Sequence, residues 1–103
     1  MHDSLTAGRL VELTSLDTAA VTLAPRRSEP VNFAIVREAV ERIVLVEDAE
    51  MRAAAHWLWR EMGVAAELSG AAAVAALLSG GYEMMAGERV CAVVCGAGTD
   101  GIG

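Results

Sequence analysis

From Gly70 to Leu78 the chain reads Gly-Ala-Ala-Ala-Val-Ala-Ala-Leu-Leu, a run without one polar side chain. Alanine and leucine are the strongest helix formers. Ser69 is a good N-cap in front of them, and Ser79-Gly80-Gly81 is a stop behind them. A helix with no polar face has to be buried. The rest of a 103-residue chain must therefore wrap this helix, with only a small core to work with, because the buried fraction falls with chain size. One domain at most is expected.

The flanking patterns supply candidate layers. Val11-Glu12-Leu13-Thr14 alternates as a short strand does, and Thr18 to Pro30, with Pro25, Arg26, Arg27 and Ser28, reads as a loop. Asn32 is placed to cap a helix carrying Phe33, Val36, Val40 and Ile43 at three- and four-residue steps. Ile43-Val44-Leu45-Val46 is a β-branched run suited to a buried strand. Glu47-Asp48-Ala49-Glu50 is an acidic first turn, which the helix dipole favours. Met51, Ala55, Leu58 and Met62 form the stripe of that helix, and Gly63 ends it. Val64 to Glu67 is a further short strand, Gly87 marks a turn, and Val90 to Cys95 is the strongest strand pattern in the chain. Alternating strands and helices predict an α/β fold, residues 1–103 forming one unit with a mostly parallel sheet.

Composition narrows the partners. Hydrophobic residues make up 54% of the chain, above the usual share of about 45–50%. Either this is an alanine-rich composition alone, or some apolar surface belongs against another polypeptide. A net charge of −6 argues against nucleic acid, whose backbone needs a basic face. No apolar run reaches the roughly 18 residues of a membrane span, and Met1-His2-Asp3-Ser4 has no signal-peptide core. The expected compartment is the cytoplasm. Cys91 and Cys95 are too few and too close for a disulfide framework. With His2 and His56 as the only histidines, no zinc-like ligand spacing exists, and no metal site is expected.

Few residues carry chemistry. Gly96-Ala97-Gly98-Thr99-Asp100-Gly101 satisfies GxGxxG after a strand. A dinucleotide fingerprint also needs a following helix and an acidic residue about 20 positions on, and neither is present. The better reading is a flexible loop at the carboxyl end of a strand, where ligands sit in open α/β sheets. Cys91 and Cys95 share one face of their strand; Cys91 reads as a small core residue, whereas Cys95 borders the glycine loop. Glu67, just before the apolar helix, is either satisfied locally by backbone N–H groups or functional, since glutamate is rarely buried alone. Trp57 and Trp59 diverge by about 100° per residue, so one is expected in the core and one at an edge.

These segments together resemble serine/threonine dehydratases of the fold-type II, tryptophan synthase beta-like group of pyridoxal-phosphate enzymes. Glu67-Leu68-Ser69-Gly70-Ala71-Ala72 is similar to that family's Glu-Pro-Ser-Gly-Ala-Ala stretch, and Cys95-Gly96-Ala97-Gly98 to its Ser/Cys-Gly-Gly-Asn motif. Leu23-Ala24-Pro25 and Val44-Leu45-Val46 resemble its earlier elements more weakly. Leu68 replaces a usual proline, and Gly98 a common asparagine.

The resemblance implies the C-terminal part of a catalytic domain. It places Cys95 at the pyridine nitrogen of pyridoxal 5'-phosphate, Gly96 and Ala97 beside the ring, and Glu67 near the ring or the substrate. It implies dehydration of L-serine or L-threonine to a 2-oxo acid and ammonia. It also requires a lysine to hold the cofactor and a glycine-rich phosphate loop. All eight basic residues here are arginine, so no residue of this chain is expected to hold the cofactor covalently, no catalytic residue is assigned, and the chain alone is expected to be inactive. The expected partners are the remainder of the catalytic domain, or a second copy through an apolar face, and a small amino acid. A freestanding metabolite-binding or self-associating module is the alternative.

Overall fold

A computed structural model describes residues 1–13, 17–20 and 28–103. They fall into two compact units, Met1–Ile43 and Val44–Gly103.

In the first unit, α1 spans His2–Ala7 and stops at Gly8, whose φ of 72° is the left-handed conformation that glycine adopts without strain. Ser4 is buried and its hydroxyl accepts Val11 N–H at 3.0 Å. Helix α2 spans Pro30–Ala39. It begins two residues before the expected cap: Pro30 occupies the first turn, where its missing N–H costs nothing and its fixed φ is already helical. Asn32 is therefore inside the helix. Val40 is extended, so the expected stripe stops at Val36. No residue of α2 is buried. Residues 11–13 form no strand, and Thr14, the 23–25 segment and most of the expected loop lie outside the described residues.

The second unit is built on α3, Asp48–Met62. Its acidic start is as expected: Glu50 reaches back to accept Glu47 N–H at 2.8 Å, one arm of a capping box. Its end is also as expected, with Gly63 at φ 67° accommodating the reversal while Gly63 and Val64 N–H donate to Trp59 and Leu58 carbonyls. The buried stripe is Met51, Ala54, Ala55 and Leu58. Met62 is exposed, and so are both Trp57 and Trp59, because the stripe facing α4 is narrow and runs out before the last turn.

The apolar segment after Glu67 begins as a 3-10 turn, Ser69–Ala71, and continues as α4, Ala72–Leu78. Ser69 is buried as the first residue of that turn, and Leu68, not Ser69, stands at its N-cap position. Helix α4 packs on α3, with Val74 and Ala75 buried and Leu78 about half exposed. The core between them is mostly methyl groups: Ala54, Ala55, Ala66, Ala71 and Ala75, with Met51, Leu58, Leu68 and Val74. Small side chains let helices approach closely. The side of α4 turned away from α3 is not covered within this unit, contrary to the expectation of a fully buried helix.

The expected parallel sheet is not formed. Among the described residues no strand ladder exists; residues 44–46 and 90–95 are unpaired, and Ala66 with Ala97 forms one isolated antiparallel bridge. A strand acquires its ladder only from a neighbour in register, and beyond the single Ala66–Ala97 bridge no such pairing is formed among the described residues. Residues 91–97 nevertheless keep the period of two: Cys91, Val93, Cys95 and Ala97 are exposed while Ala92, Val94 and Gly96 are half-buried. Cys91 is thus not the core residue its type suggested. Gly87, at φ 78°, does form the turn expected of it.

Candidate functional site

The site is the junction between the turn 65–71 and the loop 95–101. Two backbone hydrogen bonds join them: Glu67 N–H donates to the Gly96 carbonyl and Gly98 N–H to the Ala65 carbonyl, each at 3.1 Å. This pair creates the Ala66–Ala97 bridge.

The glycines of the junction are required by contact, not by backbone angle, since their φ values are not left-handed. A Cβ on Gly70 would lie 2.3 Å from the Gly96 carbonyl oxygen. One on Gly96 would lie 2.3 Å from Glu67 Oε1, and one on Gly98 2.8 Å from the Glu67 Cβ. One on Gly101 would lie 2.2 Å from the Ala55 carbonyl oxygen in α3. The GxGxxG spacing is therefore used for packing: two glycines admit Glu67 and the third admits the α3 backbone.

Of the residues singled out from sequence, Glu67 and Gly96 are in direct contact. Ala97 is at the bridge, exposed on the outer face. Cys95 is a free, exposed thiol preceding Gly96. Glu67 is half-buried. Leu68, which replaces the usual proline, uses the N–H that proline would lack: it donates to Asp100 Oδ2 at 2.9 Å. Gly98, which replaces the usual asparagine, stands where a side chain would meet Glu67.

Two residues of the junction were not found from sequence. Asp100 closes the loop onto Leu68 across 32 positions. His56 Nδ1 donates to the Gly101 carbonyl at 2.9 Å and ties the same loop to α3. Since a carbonyl only accepts, Nδ1 carries the proton. The local signal was the pairing of an N–H-bearing Leu68 with an acid in the loop, and it has meaning only once the two are known to meet. Among the described residues no cluster of three or more histidine, cysteine or acidic side chains is arranged to hold a metal ion, and no helix is long and apolar enough to cross a membrane.

The profile of the family described as pyridoxal-phosphate dependent enzyme matches residues 1–96, and the chain belongs to that family. It is 36% identical over 100 residues to a phenylserine dehydratase of Ralstonia pickettii, covering 97% of this chain and 31% of that protein. It is 32% identical over 99 residues to an L-threonine ammonia-lyase of Geobacter sulfurreducens, covering 96% of this chain and 24% of that one. In structure it is similar to maize serine racemase, with a TM-score of 0.71 and 30% identity over 75% of this chain and 24% of that one. It is also similar to the threonine deaminase of T.th., with a TM-score of 0.72 and 30% identity over 78% of this chain and 27% of that one. The chain spans about a quarter to a third of the length of these relatives.

The family's cofactor is pyridoxal phosphate. The junction offers that group a thiol at Cys95, backbone free of side chains at Gly96, and the side chain of Glu67. It does not fit a covalent anchor, because the sequence contains no lysine.

Proposed function

We propose that this chain is the C-terminal part of the catalytic domain of a pyridoxal-phosphate dependent ammonia-lyase. The reaction is dehydration of L-threonine or L-serine to a 2-oxo acid and ammonia. The observation that supports this best is the contact of the Glu67 turn with the Cys95–Gly96 loop, in a chain whose curated relatives are named as a dehydratase and an ammonia-lyase. The phenylserine dehydratase extends the candidate substrates to β-hydroxy amino acids with larger side chains.

On this reading Cys95 meets the pyridine nitrogen. A thiol, unlike a carboxylate, does not hold a proton on that nitrogen. Gly96 and Ala97 present bare backbone and one methyl beside the ring, and Glu67 lies near the ring or the substrate. When bound, the cofactor supplies the electron sink for elimination; with a neutral partner that sink is weak, which suits prompt loss of a β-hydroxyl. The uncovered side of α4 and the unpaired segments 44–46 and 90–95 meet the remainder of the catalytic domain, which brings the lysine and the phosphate loop. The protein acts in the cytoplasm.

The test is direct. The purified chain is mixed with pyridoxal phosphate, reduced with borohydride and weighed, and assayed for 2-oxo acid with L-threonine and L-serine. No adduct beyond the α-amino group and no turnover are expected. A reading frame continuing upstream of Met1 with a lysine and a glycine-rich loop, expressed whole, is expected to release ammonia from one of these substrates. Turnover by the 103-residue chain alone would sink the proposal.

A further inference from the structure

The loop that carries Cys95 is held at both ends. Its near end is fixed by the Ala66–Ala97 bridge. Its far end is fixed by Asp100, whose carboxylate accepts Leu68 N–H at 2.9 Å, and by the His56 bond to the Gly101 carbonyl. Leu68 N–H lies at the entry to the 3-10 turn that leads into α4, where a backbone N–H has no partner within the helix. A carboxylate there satisfies it and also faces the positive end of the turn. Gly101, buried against the Ala55 carbonyl, leaves the following residues no room to drift toward α3.

We infer that Asp100 is a positioning residue: it fixes Gly96–Gly98 against Glu67 and thereby sets where the Cys95 thiol points. His56 supports it from α3. Leu68 is the other half of the device, because a proline at that position has no N–H to give Asp100. That the positioned thiol faces a cofactor rests on the proposed function; that Asp100 holds the loop does not.

The experiment uses the 103-residue chain with no cofactor. Amide exchange is followed at Leu68, Glu67 and Gly98, with Gly63 and Val64 at the end of α3 as internal references. Alkylation of Cys95 is compared with that of Cys91 on the same exposed face. In Asp100→Ala the three junction amides are expected to exchange about tenfold faster, the factor expected for losing one hydrogen bond to a charged group. The references remain unchanged. The Cys95 rate is expected to change relative to Cys91. Asp100→Asn keeps an oxygen acceptor without the charge and is expected to recover about half of the effect, leaving both readouts within about threefold of the unsubstituted chain. Junction amides unchanged in Asp100→Ala overturn the inference. So does equal acceleration of junction and reference amides in both variants, which makes Asp100 a general stabiliser. Failure of the cofactor reading leaves these results untouched, so the two are separable.

Discussion

Glu67 lies across Gly96 so closely that a methyl group on Gly96 would fall 2.3 Å from Glu67 Oε1 and 2.9 Å from its Cγ and Cδ. The same loop residue presents its carbonyl oxygen 2.3 Å from where a Gly70 Cβ would be, and its N 2.8 Å away. The two contacts differ in kind. The first is with the end of a flexible side chain, the second with backbone on both sides.

This difference predicts an order of stabilities. Gly70→Ala forces two backbones apart and is expected to cost about 3 kcal/mol, the upper part of the overpacking range. Gly96→Ala displaces a carboxylate and is expected to cost about 1 kcal/mol. Urea unfolding followed by circular dichroism measures both. A Gly96→Ala variant less stable than Gly70→Ala would contradict the assignment of which contact is rigid.

The start of α3 gives an independent test. Glu50 accepts Glu47 N–H at 2.8 Å, and Asp48 and Glu50 both lie in the first turn. Glu50→Ala removes the acceptor and a favourable charge, and about 1 kcal/mol of stability with them. Glu50→Gln keeps the acceptor and is expected to lose about half of that. Thermal unfolding in low and high salt separates the contributions: the charge component is screened and the hydrogen bond is not. Identical losses for the two variants in low salt would show that the bond contributes nothing.

The features legible in the sequence are those decided within a few residues. The acidic turn at Glu47–Glu50 and the stop at Gly63 depend on one helix and its own ends, and both are where the pattern puts them. The buried stripe was legible at Met51, Ala55 and Leu58. Met62 failed because periodicity continues whether or not a neighbour does, and Ala54 was missed because an alanine looks alike in a core and on a surface. The family was legible from two short motifs, Glu67–Ala72 and Cys95–Gly98. The strands were not, because residues 44–46 and 90–95 have an extended pattern but no ladder among the described residues. Asp100 was hidden for the same reason: its partner Leu68 is 32 residues away, and nothing local distinguishes it from any loop acid.

The outer face of residues 91–97 supplies the last prediction. Val93 is 67% exposed and lies between the exposed Cys91 and Cys95. A surface residue with no buried contact changes stability by less than about 0.5 kcal/mol on substitution. Val93→Glu is therefore expected to leave the unfolding midpoint of the isolated chain unchanged. If this face meets the remainder of the catalytic domain, as proposed, the outcome in the longer protein is opposite: a carboxylate enters an apolar interface without a partner, at a cost of several kcal/mol, and assembly of the domain fails. The pair of measurements is decisive because each alone is ambiguous. A variant that destabilises the isolated chain places Val93 in its core, while one that is silent in both contexts leaves the face with no partner to meet.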